Sequence, residues 1–350
     1  MSKKPNLLAQ EITNVVNDNG YAAHKLAWFE NGEIKTLKVQ TLIEMGHRAD
    51  AVGTPIDTYQ VDGQSYFCGS SVRTPLQLRN EGYPTSVANR VLVTHALVKA
   101  GLINRPIKLG VTLPFRDYFN EKGVIRADRK DSTIANFVGP DRKVIVEGKV
   151  DQIVDIREGT CFSEALAAYF DFAFNDDGTM TQGGEHVMGD VAVVDIGGST
   201  TDVVSLNVDS GLMIDQQHSG TERVGVLDAI DALEKLMKAR LVEEKVIEDG
   251  LDSALPTVVV QSALEKGQIY YQSSMRDMMS EREQACRGTA ERITNYVKTK
   301  LANINAYQAI IIVGGGSIVF RQWLQKMLPN AVFLDEFSNA RGALKYMQFC

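Results

Sequence analysis

A 350-residue chain that is 44% hydrophobic and 23% charged has the composition of a globular protein, and its length predicts two domains rather than one core. Its net charge of −7 excludes the broad cationic footprint needed to bind DNA or RNA directly through the phosphate backbone. No stretch reads as a membrane span, "MSKKPNLLAQEITNVV" lacks the apolar core of a signal peptide, and the four cysteines and five histidines show no metal-ligand spacing, so a cytoplasmic protein with free thiols is expected.

Residues 12–29, "ITNVVNDNGYAAHKLAWF", read as strand, acidic and glycine-containing turn, strand. "GEIKTLKVQTLI" and "DTYQVDGQSYFCG" alternate like edge β-structure, with Asp62-Gly63 as a hairpin turn. "TSVANRVLVTHALVKAG" sets Val87, Val91, Leu92, His95 and Leu97 at helical spacing and ends on Gly101, a C-cap. "IKLGVTLP" and "RKVIVEGKVDQIVDI" predict strands, and "SEALAAYFDFAF" a helix opened by Ser163. The turn-rich "NDDGTMTQGGEHVMGD" predicts a surface loop at a domain junction. Then comes "VAVVDIGGSTTDVVSLN", a second pair of apolar strands around a polar turn. "VLDAIDALEKLMKARLVEEKV" and "ERITNYVKTKLANI" carry apolar helical faces, with "LPTVVV" between them. "AIIIVGGGSIVF" is an apolar strand feeding three glycines, and "AVFLDEFSNARGALKYM" reads as strand, loop and helix. Strands alternating with helices predict an α/β fold.

Two turns share one pattern, "VVNDNGYAAHK" and "VVDIGGSTTDVV": an apolar strand, an aspartate at its end, glycine two residues on, and a returning strand. An ordinary hairpin needs only Asn-Gly or Asp-Gly. Here Gly20 and the pair Gly197 and Gly198 would let backbone N–H groups reach phosphate oxygens, with Ser199, Thr200 and Thr201 adding donors. Carboxylates beside phosphates repel them unless a hydrated Mg²⁺ intervenes, a role open to Asp18 and Asp195 through water. Lys25, on the returning strand, could neutralise phosphate charge. The run Gly314, Gly315 and Gly316 suits a flat base or ribose against bare backbone. Neither GxxxxGK[ST] nor GxGxxG occurs. Each feature alone is an ordinary polar turn or a solvated lysine; three glycine turns at strand ends in one chain point to a nucleotide.

In order and spacing, "NDNGYAAHK", "DIGGSTTD" and "IIIVGGGS" resemble the two phosphate loops and the adenosine loop of the actin, heat-shock chaperone and sugar kinase ATPases. Within that superfamily the chain most resembles the plasmid-partition actins of the ParM/StbA type, over about residues 13–346. The resemblance implies an α/β fold of two lobes, each a central mixed sheet with flanking helices, and ATP with Mg²⁺ in the interlobe cleft. Lobe I would be residues 1–188 plus 332–350, and lobe II residues 189–331. It also implies nucleotide contacts at Asn19, Gly20, Tyr21 and Lys25, at Gly197, Gly198, Ser199 and Thr200, at Gly314, Gly315 and Gly316, and at Gly220, Thr221 and Glu222 of "SGTERVG". Asp18 and Asp195 would hold the metal.

Family members place a glutamate between the phosphate loops to polarise the attacking water. Glu158 in "DIREGTCFSEALAAYF" is the preferred counterpart and Glu164 the rival, with Arg157 standing where relatives often carry proline. "SNARGA" (338–343) resembles the second connecting segment. The implied function is an ATPase that polymerises head-to-tail into a homopolymeric filament. It would move plasmid DNA through an adaptor protein bound at a centromere, with no direct nucleic-acid or membrane contact. The alternatives are a small-molecule kinase using Asp117 or Asp155 as base, or a cell-shape or assembly ATPase. "MSKKPNLLAQEI", ahead of the resemblance, would be an added element or a filament-contact arm.

Overall fold

The computed structural model describes residues 11–149, 151–209, 211–248 and 255–350. All but the last two residues of the leading "MSKKPNLLAQEI" therefore lie outside the described residues. The chain forms two compact units, one running to His186 and resuming at Phe337–Cys350, the other Val187–Glu336.

Both units are built on a five-stranded sheet with one pairing scheme. In the first unit the strands are ordered Glu33–Gln40, Ala23–Glu30, Thr13–Asn19, Pro106–Leu113, Asp155–Ser163. The opening three form an antiparallel meander and the last two add in parallel. In the second unit the order is Met213–Glu222, Thr201–Asn207, Asp190–Ile196, Ala309–Val313, Ala331–Phe333. Again two antiparallel pairings are followed by two parallel ones. The two turns singled out by their sequence thus occupy equivalent places, each at the end of its sheet's central strand.

The central strand Asp190–Ile196 reads as a near-continuous apolar run because parallel pairing places helices on the sheet faces, whereas Thr13–Asn19 is buried but carries only Val15 and Val16 as apolar residues. In the second unit those helices include Val226–Glu243 and Met279–Leu301, whose Leu233, Met237, Ile293 and Val297 are fully buried in one core with Ile310 and Ile312. In the first unit Ser338–Phe349 packs on Glu164–Ala173. The approach is close enough that a Cβ on Gly342 would run into the Ala167 carbonyl. The helix Val87–Lys99 starts at Ser86, which accepts from Asn89 N, and stops at Gly101 with φ +71°. Asp62 and Gly63, at φ 51° and 76°, close the predicted hairpin inside a separate four-stranded sheet.

Two expectations change. The stretch 142–156 is not mainly strand: among its described residues Ile145–Val146 form a two-residue strand, and the long strand begins at Asp155 and runs to Ser163. The division expected at 331/332 would cut Ala331–Phe333, whose backbone pairs with Ala309–Val313 and so belongs to the second unit. Among the described residues no helix is long and apolar enough to cross a membrane. Cys68, Cys161 and Cys286 are buried free thiols and Cys350 is exposed.

The first unit also buries two histidines. His24 exchanges hydrogen bonds with Asn17 at 3.1 Å and with the Tyr83 hydroxyl at 2.6 Å. Burial, reinforced by His95 and Lys25, pushes its pKa from 6.5 down to about 3. Burial likewise takes His95 down to about 4. Both rings stay neutral in the fold but take up a proton on unfolding below pH 6.5, so the unfolded chain binds more protons there. Stability is therefore complete above about pH 6.5 and falls as the pH drops, by up to about 1.4 kcal/mol per pH unit for each ring. Urea midpoints measured at pH 7 and pH 5 are expected to show this loss, and His24→Gln is expected to remove the His24 share of it and leave that of His95.

Candidate functional site

In the first unit the antiparallel register sets Asp18 opposite Lys25 across the hairpin, and Lys25 Nζ lies 3.0 Å from Asp18 Oδ2. Both side chains are buried. Thr112, on the neighbouring parallel strand, holds its hydroxyl 2.9 Å from Asp18 Oδ1 and 3.3 Å from Glu164 Oε1, so it can donate to either carboxylate. Its backbone N–H donates to Asn19 Oδ1 at 3.3 Å. The Thr41 hydroxyl donates to the Gly20 carbonyl at 2.7 Å and fixes the turn from outside. A Cβ on Gly20 would come within 2.9 Å of the Ala23 carbonyl, so this tight turn excludes any side chain there. Tyr21 donates to the Asn80 carbonyl. Burial, and then the Asp117 and Glu164 carboxylates, push its phenol up to about 12, so it remains a neutral donor.

The preferred glutamate is not brought here. Glu158 sits mid-strand, exposed, with Lys108 Nζ at 3.9 Å. Six residues of extended chain separate it from Glu164, roughly 20 Å at strand rise. Glu164 is the first residue of the helix that follows the strand, and this placement carries its carboxylate to Thr112 beside Asp18. The strand is longer than the sequence pattern suggested, which moves the connecting turn from 158 to 163–164. The other acids weighed are held by cations: Asp117 by Arg129 at 3.3 Å and Asp155 by Arg157 at 2.8 Å.

In the second unit Asp195 is buried at the end of its strand, in register with Asp202 on the returning one. The turn between them closes with the Gly197 N–H donating to the Thr200 carbonyl at 2.9 Å. The carbonyls of Gly197 and Gly198 accept from the N–H groups of Val226 and Leu227, the first two residues of a long helix. Gly225, just before that helix, makes the seat: a Cβ there would lie 2.5 Å from the Gly198 carbonyl oxygen and 2.7 Å from that of Gly197. Gly225→Ala is expected to cost roughly 1–3 kcal/mol by overpacking and to displace the turn; denaturant unfolding reads the first effect. The glycine run ends the adjacent strand, whose Val313 is in register with Asp195. Gly314 has φ +80°, and a Cβ on it would collide with Asp195 Oδ1. One on Gly316 would meet the Ile196 side chain. The second turn and the triple glycine are thus packed into one another.

Gly220, Thr221 and Glu222 are not a loop but the end of the strand Met213–Glu222. The Thr221 hydroxyl donates to Asp202, and Glu222 is in register with Thr201 next to the turn. The bare face of Gly220 is taken by Tyr296 and Lys300 of the helix Met279–Leu301. Sequence reading missed Thr112, which a buried strand does not distinguish from packing, and Gly225, whose signal is a glycine directly before an apolar helical period.

Two mixed α/β units, each with an aspartate and a glycine turn at the end of its central strand, define an actin-like fold. Residues 13–174 match the family model "Plasmid segregation protein ParM, N-terminal", and residues 193–326 match "Archaeal actin homologue MreB-like, C-terminal". Two actin-homologue models, one ParM-type and one MreB-like, thus match successive parts of the chain, and the fold is that of the actin-like proteins. No curated protein sequence matches it. Among solved structures it is similar to a 15-stranded ParM filament from Clostridium botulinum, at 21% identity over 97% of this chain and 100% of that one, with TM-score 0.74. It is also similar to an archaeal actin homolog in complex with ADP, at 19% identity over 96% and 99%, with TM-score 0.73. A third is Bacillus thuringiensis ParM with ATP, at 16% identity over 96% and 99%, with TM-score 0.64.

Proposed function

We propose that this protein binds and hydrolyses Mg-ATP, that the bound nucleotide drives head-to-tail polymerisation, and that the filament segregates plasmid DNA through an adaptor protein at a centromere. The observation that carries the reading is the link Lys25, Asp18, Thr112, Glu164: a cation, two carboxylates and a shared hydroxyl at the mouth of a glycine turn. The residues fit the group. Gly20 and Gly197 are half-buried turn residues that set no side chain between the backbone and a phosphate, and each unit carries a buried strand-end carboxylate, Asp18 in one and Asp195 in the other, of the kind that binds the waters of a hydrated cation. Among the described residues no three His, Cys, Asp or Glu side chains gather as a ligand set, which suits a metal held mostly by water and phosphate. When bound, Mg²⁺ supplies neutralisation of phosphate charge.

The protein's own residues do the rest. Lys25 can exchange part of its contact with Asp18 for a phosphate oxygen. Glu164 orients a water and accepts its proton, with the Thr112 hydroxyl fixing the carboxylate's rotamer. Asn19, Tyr21, Ser199 and Thr200 add donors around the phosphates, and the Gly314, Gly315 and Gly316 backbone receives the adenosine.

Light scattering and sedimentation with Mg-ATP, Mg-ADP and no nucleotide test the reading. Polymer that forms with Mg-ATP and later disassembles is expected. ATP hydrolysis without any polymer would leave an ATPase and remove the filament.

A further inference from the structure

A cavity of about 680 Å³ lies within the first unit, and none of the residues assigned above to the nucleotide lines it. Its wall is formed by the helix Val87–Lys99, the segment 137–149 and the start of the strand Asp155–Ser163. Five cationic side chains reach it, Arg90, Arg142, Lys143, Lys149 and Arg157, against the single carboxylate of Asp155, which Arg157 already holds at 2.8 Å. The remainder is largely apolar, with Phe137, Val144, Val146 and Ile156 among the lining residues.

The unusual member is Arg90. It is 4% exposed, yet among the described residues it makes no ion pair, and its Nε has no hydrogen-bond partner. Among the described residues its guanidinium makes one hydrogen bond, a long 3.5 Å one to the Asp141 carbonyl. Burial and then the neighbouring Arg142 push its pKa down, with Asp62 and Tyr66 opposing them from beyond ion-pair distance. A buried guanidinium without a counter-charge is costly, and proteins supply one from a side chain or from a ligand. Gln152 Oε1, also buried in this wall, is a second orphan.

We propose that this cavity binds a small amphipathic anion, whose carboxylate or phosphate oxygen accepts from Arg90 and whose apolar body lies against Phe137, Val144 and Ile156. A hydroxyl or N–H on the ligand would satisfy Gln152 Oε1. The volume matches the 300–1,000 Å³ typical of small-molecule sites, and an apolar lining with a few convergent polar groups is their usual character. The exposed Lys143 and Lys149 at the rim attract the anion before Arg90 seats it.

The test is fluorescence titration of the full chain with anilinonaphthalene sulfonate, an anion with an aromatic body. Decanoate, decyl phosphate and neutral decanol serve as competitors. Saturable binding is expected, displaced by the two anions and not by decanol, and unchanged by saturating Mg-ATP. The stronger competitor tells a carboxylate from a phosphate head. Arg90→Met is expected to weaken binding about tenfold or more (about 1.4 kcal/mol) and the Lys143→Gln, Lys149→Gln pair by less. Val144→Trp, which fills the cavity from a half-buried position, is expected to abolish it and decides the matter should Arg90→Met fail to fold. Displacement by Mg-ATP, equal competition by decanol, or binding unaffected in a folded Arg90→Met or Val144→Trp would overturn the proposal.

Discussion

Glu164→Ala is expected to slow ATP turnover by roughly 10²–10⁴-fold, the ordinary contribution of a positioned general base, while Glu158→Ala leaves it within about twofold. Of the two glutamates it is Glu164 that has its carboxylate at the shared Thr112 hydroxyl, 3.3 Å away, with that hydroxyl 2.9 Å from Asp18. Glu158 is exposed on the strand and meets Lys108 at 3.9 Å, a contact worth little in water. Nucleotide affinity in Glu164→Ala is expected to stay near wild type, because in the proposed reaction the residue acts on the water rather than on the phosphates. The polymer of that variant should therefore form and persist, and single-turnover phosphate release with Mg-ATP separates binding from chemistry. Thr112→Val, which removes the shared hydroxyl at constant shape, should lower turnover by a smaller factor and leave the fold intact. Equal loss in Glu158→Ala and Glu164→Ala would place the water elsewhere.

Asp171→Ala is expected to destabilise the first unit by roughly 1.5–3 kcal/mol, the worth of charge-assisted hydrogen bonds, with Lys345 keeping its ion pair to Asp176 at 3.1 Å. Asp171, on the helix Glu164–Ala173, is almost fully buried and accepts two hydrogen bonds from Arg341, at 3.1 and 2.7 Å. Lys345 adds a third at 2.9 Å and donates to the Phe174 carbonyl at 2.8 Å. These contacts fasten the helix Ser338–Phe349 to the unit it rejoins after the chain has built the other one. The residues are about 170 positions apart in sequence, so the pair closes a long loop on which the unit's integrity depends. In a double-mutant cycle, Arg341→Ala added to Asp171→Ala should cost less than Arg341→Ala alone, since the acceptor is already gone. Urea unfolding measures each term. Additive costs would mean that the contacts are independent and the anchor weak.

The sequence by itself determined the features that are local. A glycine two residues after a strand-end aspartate, an apolar run too long for a one-sided strand, and hydroxyls around a turn are properties of neighbouring residues. They were enough for the α/β class, the actin-like resemblance and the two equivalent turns. What tertiary structure alone decided depends on residues far apart in the chain. Thr112 joins Asp18 and Glu164 across separations of 94 and 52 residues, and no periodicity marks a threonine for that position. The choice of Glu164 over Glu158 depended on where a strand ends, and the parallel pairing with Pro106–Leu113 carries that strand on to Ser163. Gly220 reads as a loop residue until Tyr296 and Lys300 are seen against it. The cavity around Arg90 was invisible for the same reason: an arginine on a helix looks solvated until the segment 137–149 is seen beside it, with no ion pair to Arg90 among the described residues. Local chemistry is written in adjacent residues, whereas burial and partnership are set by which distant surfaces the fold brings together.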